Sequence, residues 1–260
     1  MSFDGLKIPD LAGRACLVTG ASTGIGAAVA RAFAAQGARV GVHYNASAEA
    51  ASAIVADIRG AGGEAVAIHG DLGRTGEAAR VVEAAAAQFG GLDILVNNAG
   101  ALVKRVPIAD SDEAIYDAVM DLNVRQVVAA SRAAIPHIRA RGGGSIINTS
   151  SIAARNGGGN GAVFYAAAKA FVSNLTRGLA KELVGSGIRV NAVAPGVITT
   201  PFHERYSTPE HMKAMVASVP MGRAGVPEDC VGAYLFLASP MLSSYVTGQV
   251  LEVNGGQLMP

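Results

Sequence analysis

The chain has 260 residues, of which 50% are hydrophobic and 16% are charged, so it can bury a large core without disulfide or metal cross-links. Its formal net charge of +1 argues against a nucleic-acid or anionic-membrane partner held by a broad basic face. Cys16 and Cys230 are its only cysteines and lie far apart in sequence, which argues against a cysteine metal cluster and predicts a reducing, cytoplasmic setting.

The N-terminal stretch does not resemble a targeting signal. It carries Asp4 and Asp10 and lacks the apolar segment of a signal peptide. Elsewhere, no apolar run approaches the ~18 residues that are needed to span a bilayer. We therefore expect a soluble protein without a membrane partner.

Short runs rich in β-branched residues alternate with Ala-rich stretches of helical period along the chain. The short runs predict strands at 15–19, 39–44, 64–69, 93–97, 145–150, 189–194 and 249–253. The Ala-rich stretches predict helices at 25–36, 48–59, 77–89, 113–140, 164–184 and 228–238. This alternation predicts a parallel sheet with helices on both faces. We expect one domain, 1–260, with a lid-like insertion at about 199–226.

A glycine-rich turn follows the first predicted strand, in LVTGASTGIG, with Gly20, Gly24 and Gly26. Glycines there let the backbone approach a pyrophosphate, and the N–H groups at the start of the next helix favour its negative charge. The spacing is Gly-x-x-x-Gly-x-Gly. Glycine also serves tight turns and helix–strand packing, so the turn alone leaves both interpretations open.

A tyrosine and a lysine are placed to cooperate on one predicted helix. Tyr165 and Lys169 are four residues apart, so their side chains share a face. They follow Ser150 and Ser151, which end a predicted strand, after a glycine-rich loop.

With these motifs in view, the chain resembles the short-chain dehydrogenase/reductase family over nearly its whole length after the first dozen residues. The matching segments are TGASTGIG at 19–26, GDL at 70–72, NNAG at 97–100, DLNV at 121–124, SS at 150–151, YAAAK at 165–169 and NAVAPGVITT at 191–200. The resemblance implies an α/β fold with a Rossmann-type, doubly wound, seven-stranded parallel sheet.

The resemblance also implies a catalytic tetrad of Asn123, Ser151, Tyr165 and Lys169. The interval from Ser151 to Tyr165 is 14 residues rather than the more usual 13, so Ser150 stays open as the catalytic serine. The implied activity is that of an NAD(P)-dependent enzyme that acts on CH–OH groups. It would transfer hydride between the nicotinamide and a carbonyl or alcohol substrate.

Reduction of a carbonyl needs a proton donor at the nascent alkoxide, and a free phenol with a pKa near 10 is poorly matched to pH 7. We expect Lys169, helped by the positive nicotinamide ring, to lower the pKa of Tyr165 by about three units. Ser151 would then hydrogen-bond the substrate oxygen. By resemblance, Asn123 holds a water that links Lys169 to solvent.

A nicotinamide cofactor site is predicted around the same edge of the sheet. The expected residues are Gly20, Ser22, Thr23, Gly24, Ile25, Gly26, Tyr44, Asn45, Ser47, Asp71, Leu72, Asn98, Ala99, Gly100, Tyr165, Lys169, Pro195, Gly196, Ile198 and Thr200. Two of them have simpler alternatives. Asn98 could only form a turn, and Asp71 could only cap the following helix.

The end of the second strand bears on the choice of cofactor. Enzymes that use NAD usually place Asp or Glu there, and this chain has Tyr44. Asn45 and Ser47 could donate hydrogen bonds to a 2′-phosphate, which favours NADP(H). Neither Thr23 nor Asn45 is the basic residue that NADP-preferring relatives often carry, so NAD(H) stays possible.

The substrate is a small carbonyl or alcohol whose identity the sequence leaves open. The alternatives are a 3-oxoacyl-[acyl-carrier-protein] reductase and a glucose/polyol 1-dehydrogenase. Ser186 stands where acyl-carrier reductases often have Arg, although Arg139 and Arg141 could serve instead. An alternative of another class is a non-catalytic dinucleotide-binding regulator. The five histidines are too scattered to suggest a metal site.

The helices predicted at 113–140 and 164–184 are too apolar for the surface of a monomer. Pairing both helices about a two-fold axis would make a dimer. The apolar C-terminal strand offers a second self-complementary surface, so we expect a homotetramer.

Overall fold

The computed structural model describes residue 5 and residues 7–259. Within them, one sheet is formed by β1 (Ala15–Val18), β2 (Arg39–Tyr44), β3 (Glu64–His69), β4 (Ile94–Asn97), β5 (Gly144–Thr149), β6 (Ile188–Pro195) and β7 (Val250–Val253). The strands lie in the order β3-β2-β1-β4-β5-β6-β7, and every neighbouring pair is parallel. The predicted doubly wound, seven-stranded parallel sheet is confirmed.

Helices connect the strands. They are α1 (Gly24–Ala35), α2 (Ala48–Gly60), α3 (Glu77–Phe89), α4 (Glu113–Met120), α5 (Gln126–Ala140), α6 (Ala153–Asn156), α7 (Val163–Leu183), α8 (Pro201–Tyr206), α9 (Pro209–Ala217), α10 (Pro227–Ala238) and α11 (Pro240–Ser243). Apart from the region around α4 and α5, each predicted element agrees with an observed one to within one residue at each end. The sequence does not predict α6, α8, α9 or α11.

Both faces of the sheet are covered, which explains why its central strands are largely apolar. Every residue of β1 and of β4 is buried. One apolar cluster joins one face to α1, α2 and α10. A second cluster joins the other face to α3, α5 and α7. A strand that is buried on both faces needs a continuous apolar run rather than an alternating one.

The strand order reverses beside β1. From β1 the chain moves outward through β2 and β3, then crosses to β4 on the other side of β1. In open α/β sheets the connections diverge at such a point and leave a crevice at the carboxyl ends of the strands. The glycine-rich turn after β1 and the NNAG segment after β4 both lie at this crevice.

The prediction of one unbroken helix over 113–140 is wrong. A wide π-helical turn, Asp121–Arg125, separates α4 from α5. Within it, the side-chain amide of Asn123 donates hydrogen bonds to the carbonyl oxygens of Val119 (2.9 Å) and Ala101 (2.8 Å). The wider turn allows the buried amide of Asn123 to hydrogen-bond with the loop after β4. The local helical pattern does not reveal this contact.

The segment 199–226 departs from the strand–helix alternation and contains the short helices α8 and α9. An isolated parallel bridge joins Ile198 to Gly225, so the two ends of the segment meet. The segment therefore forms a long loop whose two ends lie side by side.

Candidate active site

A cavity of about 780 Å³ lies at the carboxyl edge of the sheet. Most of the residues predicted for the catalytic and cofactor sites line it, from the glycine-rich turn at one end to α8 and α9 at the other. Four predicted residues do not line it: Gly26, Tyr44, Asp71 and Asn123. The structure therefore brings the separate sequence motifs together around one space.

The glycine-rich turn has a backbone that other residues adopt with difficulty. Gly20 and Gly24 have positive φ angles of 63° and 55°. A β-carbon on Gly26 would lie 2.3 Å from the carbonyl oxygen of Gly20 and 2.5 Å from the amide nitrogen of Asn98. Gly26 thus permits close packing behind the turn, whereas Gly20 and Gly24 face the cavity.

Asn98 supports the glycine-rich turn from the neighbouring strand. Its side-chain amide donates to the carbonyl oxygens of Thr19 (2.9 Å) and Gly20 (3.2 Å). The Thr19 hydroxyl in turn accepts from the backbone N–H groups of Asn98 (2.9 Å) and Ala99 (3.0 Å). Asn98 also lines the cavity, so it does more than form a turn after β4.

His43 also holds the glycine-rich turn, and the sequence analysis did not assign it a role at the site. Its Nδ1 accepts the N–H of Gly20 at 2.9 Å, and its Nε2 lies 3.0 Å from the carbonyl oxygen of Gly70. These partners require a neutral ring with the proton on Nε2. Burial lowers the pKa of His43 to about 4, although its bond to Gly70 acts in the opposite direction. A histidine within an apolar strand was the only available signal.

The end of β2 presents Asn45 and Ser47 to the cavity, whereas the Tyr44 ring packs against His69 at 5.3 Å between centroids. The Asn45 amide donates to Asp71 Oδ1 at 3.3 Å, and the same oxygen accepts the N–H of Gly73 at 3.1 Å. The N-cap position of α3 is held by Gly76, so the helix-capping alternative for Asp71 is wrong.

Tyr165 and Ser151 meet at the cavity wall. A hydrogen bond with Ser151 lowers the pKa of Tyr165, but burial has the larger effect and raises it to about 12. The Ser151 hydroxyl oxygen also accepts the N–H of Ala153 at 3.1 Å, which fixes its position. In the protein alone, the expected fall in the phenol pKa is therefore not observed, because desolvation outweighs the favourable contact.

The neighbouring Ser150 has a different environment. Its buried hydroxyl donates to the carbonyl oxygen of Lys169 at 3.0 Å and lies 2.6 Å from the hydroxyl of Ser173. Both partners belong to α7, so this hydroxyl ties β5 to the helix. The geometry favours Ser151 over Ser150 as the serine that can contact a substrate.

Lys169 is buried beside the tyrosine. Its ammonium nitrogen donates to the carbonyl oxygen of Thr149 at 2.8 Å and lies 5.7 Å from the centroid of the Tyr165 ring. Burial lowers the pKa of Lys169 to about 8. At pH 7 the side chain is therefore mostly cationic.

Asn123 lies behind the cavity wall, close to Lys169. Its Oδ1 accepts the N–H of Ala101 at 3.2 Å. A β-carbon on Gly100 would lie 2.7 Å from Asn123 Oδ1 and 3.1 Å from Lys169 Nζ. The two side chains therefore approach the same glycine, and the four residues of the predicted tetrad cluster around the ends of β4 and β5.

Aromatic residues of α8 cover the tyrosine. The ring of Phe202 lies 5.6 Å from that of Tyr165 and 5.1 Å from that of Tyr206, measured between centroids. Phe202 also lines the cavity. The segment 199–226 thus places an apolar side chain against the ring of Tyr165.

Two negative findings apply to the described part of the chain. No group of three or more His, Cys, Asp or Glu residues there could hold a metal ion. Among the same residues, no helix is both long enough and apolar enough to cross a membrane.

Comparisons with known proteins agree with this geometry. A family model described as "Enoyl-(Acyl carrier protein) reductase" matches residues 20–257. A 3-oxoacyl-[acyl-carrier-protein] reductase of Synechocystis sp. is 39% identical over 254 residues, covering 96% of this chain and 98% of the relative.

Two solved structures extend the comparison. A short-chain dehydrogenase from Burkholderia cenocepacia in complex with NADP has a TM-score of 0.89 and 37% identity, covering 95% of this chain and 99% of the other. An NADH-dependent reductase responsible for alginate metabolism has a TM-score of 0.89 and 41% identity, covering 97% and 100%. The chain therefore belongs to the short-chain dehydrogenase/reductase family and is an oxidoreductase that acts on hydroxyl or carbonyl groups.

Proposed function

We propose that this protein reduces the carbonyl group of a small molecule, and oxidises the corresponding alcohol, with Tyr165 as the general acid/base. The observation that carries the proposal is the convergence of Ser151, Tyr165 and Lys169 on one cavity wall. A phenol, a hydroxyl donor and a buried cation are the groups that proton transfer to a nascent alkoxide requires.

The residues present fit a nicotinamide dinucleotide. The positive φ angles of Gly20 and Gly24 expose the turn at the start of α1, and the N–H groups there suit a pyrophosphate. When bound, the reduced cofactor supplies hydride to the carbonyl carbon. The predicted cofactor residues away from the turn, Pro195, Gly196, Ile198 and Thr200, line the same cavity.

In the reductive direction, side chains of the protein supply the proton and stabilise the charges that develop. The Tyr165 hydroxyl, which is protonated at neutral pH, donates its proton to the substrate oxygen. Ser151 donates a hydrogen bond to the same oxygen as negative charge develops there. Lys169 stabilises the resulting tyrosinate, since its ammonium group lies beside the ring. Asn123 holds the loop around Gly100 against Lys169 and is assigned the proton relay by family resemblance.

NADP(H) is the favoured cofactor, with NAD(H) also used. In support, the sequence between Gly37 and Ala48 contains no Asp or Glu, and Asn45 and Ser47 line the cavity there. Asp71 lies 3.3 Å from the Asn45 amide and would repel a 2′-phosphate, which limits the preference. Among the relatives reported above, one is bound to NADP and another is NADH-dependent.

We also propose a homotetramer in the cytoplasm. Large apolar side chains are exposed on α5 and α7, including Val128, Val163 and Phe171, and Leu251 is exposed on β7. These are the two surfaces expected to pair about two-fold axes. Both cysteines are free and buried, as suits a reducing compartment. Sedimentation equilibrium at micromolar protein tests the assembly, and a single species near the 26.2 kDa chain mass would contradict it.

Incubation with NADPH and with NADH against a panel of ketones, sugars and 3-oxoacyl thioesters tests the function. We expect cofactor oxidation with at least one carbonyl class and a higher kcat/KM with NADPH. A 3-oxoacyl thioester as the best substrate would identify an acyl-carrier reductase, and a sugar or polyol would identify a glucose/polyol dehydrogenase. Cofactor binding without turnover of any class would instead favour a non-catalytic dinucleotide-binding regulator.

A further inference from the structure

The ionisable side chains that line the cavity are basic rather than acidic. Among the described residues, no aspartate or glutamate lines it, whereas the lining includes Lys169, Arg105, Arg205, His43, His203 and His211. Lys169 belongs to the catalytic group, and His43 supports the glycine-rich turn. The remaining cationic and imidazole groups have no part in the chemistry described so far.

Arg105 is the best positioned of these groups. Its Nε donates to the carbonyl oxygen of Tyr206 at 2.7 Å, and its Nη1 donates to the carbonyl oxygen of Asn160 at 3.0 Å. These bonds use two of the five N–H donors of the guanidinium group. Its Nη2 has no hydrogen-bond partner within residues 7–259. The group is thus held by backbone oxygens while donors remain for a ligand.

The backbone two residues before Arg105 is strained. Val103 has a φ of 67°, which is a rare conformation for a β-branched residue. The N–H of Lys104 donates to the carbonyl oxygen of Leu102 at 2.8 Å, closing a three-residue turn. Strained turns of this kind cluster at ligand-binding sites. Here the turn places both Leu102 and Arg105 on the cavity wall.

A second loop holds the residue after Arg105. The N–H of Val106 donates to the carbonyl oxygen of Gly161 at 3.0 Å. Gly161 has a φ of 72°, and a β-carbon there would lie 2.7 Å from the Val106 nitrogen. The glycine-rich loop before α7 therefore packs directly on the segment that carries Arg105.

The charge of Arg105 lies away from the pyrophosphate end of the cavity. The methyl carbon of Thr200, just before α8, would lie 3.2 Å from a β-carbon on Gly24 in the glycine-rich turn. The opposite end of α8, at Tyr206, contacts Arg105. Six helical residues span about 9 Å, so α8 separates the two positions.

Arg105 nevertheless lies near the reacting centre. The Phe202 ring contacts the rings of both Tyr165 and Tyr206, and the Tyr206 carbonyl oxygen accepts from Arg105. A molecule whose carbonyl meets Tyr165 would therefore extend past Phe202 toward the guanidinium group. Burial, with a smaller contribution from Arg105, lowers the pKa of His203, so this neighbour is neutral at pH 7. Arg105 is partly exposed, and the Arg205 guanidinium lies 5.4 Å from the centroid of the Tyr206 ring, so this end of the cavity is cationic and suits an anionic group.

We propose that Arg105 binds a carboxylate of the carbonyl substrate, so that the preferred substrates are oxo acids whose carboxylate lies several bonds from the reacting carbonyl. The inference rests on the proposed carbonyl reduction and assigns a substrate class to the same cavity. A guanidinium group held in a fixed plane suits a carboxylate because their hydrogen bonds are charge-assisted and directional.

The test uses pairs of oxo acids and their primary amides, with increasing separation between the ketone and the carboxyl carbon. 4-Oxocyclohexanecarboxylate and 4-oxocyclohexanecarboxamide form one such pair. We expect the wild-type protein with NADPH at pH 7 to favour the acid by at least about tenfold in kcat/KM for the best-fitting pair. Arg105→Gln should lower kcat/KM for that acid by about tenfold to a hundredfold and change that of the amide less than about twofold.

Arg31→Gln is the matched control, because Arg31 is exposed on α1, outside the surfaces proposed to pair between subunits, and does not line the cavity. It should behave as wild type with both compounds. Wild-type protein that reduces the amide as well as the acid would overturn the carboxylate site and leave carbonyl reduction intact. An equal decrease in kcat/KM for the acid and the amide in Arg105→Gln would show that Arg105 only holds α8 in position. Failure to reduce any pair, while a ketone, sugar or 3-oxoacyl thioester of the panel is reduced, would overturn the carboxylate site alone. Reduction of none of these compounds would overturn both proposals.

Discussion

The backbone of Gly100 lies against the side chain of Lys169, since a β-carbon at position 100 would be 3.1 Å from the ammonium nitrogen. The same β-carbon would be 2.7 Å from Asn123 Oδ1, a distance that real β-carbons essentially never show. Asn123 is fully buried and its amide is hydrogen-bonded on both sides, so it cannot move aside easily. This glycine therefore sets the spacing between Asn123 and Lys169 in the proposed catalytic cluster.

Gly100→Ala should consequently displace Lys169 or Asn123 and lower kcat by about tenfold or more, which corresponds to about 1.4 kcal/mol of barrier. Steady-state kinetics on a substrate found in the panel provide the measurement. Gly232→Ala is the matched control. Gly232 is exposed on α10, a β-carbon there meets nothing within 4 Å, and alanine should stabilise the helix by about 0.5–1 kcal/mol without affecting kcat. Unchanged kcat in Gly100→Ala would show that the cluster tolerates repositioning.

The pH dependence of carbonyl reduction should follow Lys169 rather than Tyr165. The pKa of Lys169 is about 8 and that of Tyr165 is about 12, both because of burial. As pH rises through about 8, Lys169 loses its charge while the phenol stays protonated. The proton donor is then intact, but the tyrosinate it forms is no longer stabilised. We expect the kcat for reduction to fall above about pH 8.

Lys169→Arg provides the comparison, because a guanidinium group stays charged throughout this range. Its kcat should lack the decline near pH 8, whatever its absolute value. A wild-type profile that stays flat up to pH 10 would show that the charge of Lys169 does not control the reaction.

Stability should decrease in mild acid because of His43. Its pKa is about 4 in the folded protein and 6.5 ordinarily, so the unfolded chain binds a proton first. The stabilisation is complete above about pH 6.5 and is lost as pH falls toward 4. The loss in the free energy of unfolding over this pH range is about 3 kcal/mol. Denaturant unfolding at several pH values measures it, and His43→Asn should flatten this part of the curve. An equally steep curve in His43→Asn would assign the acid sensitivity to other groups.

Cofactor preference should respond to charge at the end of β2. Tyr44→Asp adds a carboxylate next to Asn45, which lines the cavity. Repulsion of a 2′-phosphate should weaken NADPH binding by at least about 1 kcal/mol and lower the ratio of kcat/KM for NADPH to that for NADH about fivefold. Tyr44→Asn introduces a neutral side chain of the same size as Asp. This variant should keep most of the wild-type ratio of kcat/KM for NADPH to that for NADH. If both variants behave alike, the 2′ group is recognised elsewhere.

The sheet could be predicted because its central strands are buried on both faces. Each of them must then be a short, largely apolar run, and each crossover must contain a helix, so local pattern and global fold agree. The pairing of Tyr165 with Lys169 was equally accessible, since four residues on a helix fix a shared face. Ser151 could be distinguished from Ser150 only in three dimensions, because the two differ in their partners on α7 and at the cavity wall.

The features that the sequence did not reveal depend on contacts between distant segments. The π-helical turn around Asn123 exists because its amide reaches Ala101, 22 residues away. His43 gains its role from the N–H of Gly20, and Arg105 gains its position from the carbonyl oxygen of Tyr206. A strand pattern or a single basic residue carries no information about such partners. Local propensity therefore located the elements, but tertiary hydrogen bonds determined these details.

The assignment of Tyr165 as the general acid/base is tested most directly by Tyr165→Phe, which removes only the hydroxyl. We expect kcat to fall by at least about a hundredfold while NADPH affinity, measured by fluorescence titration, stays within about twofold. Tyr206→Phe is the matched control, since Tyr206 belongs to the same aromatic cluster but has no lysine four residues later. Retention of more than about a tenth of wild-type kcat in Tyr165→Phe, a loss of less than ~1.4 kcal/mol, would contradict the assignment.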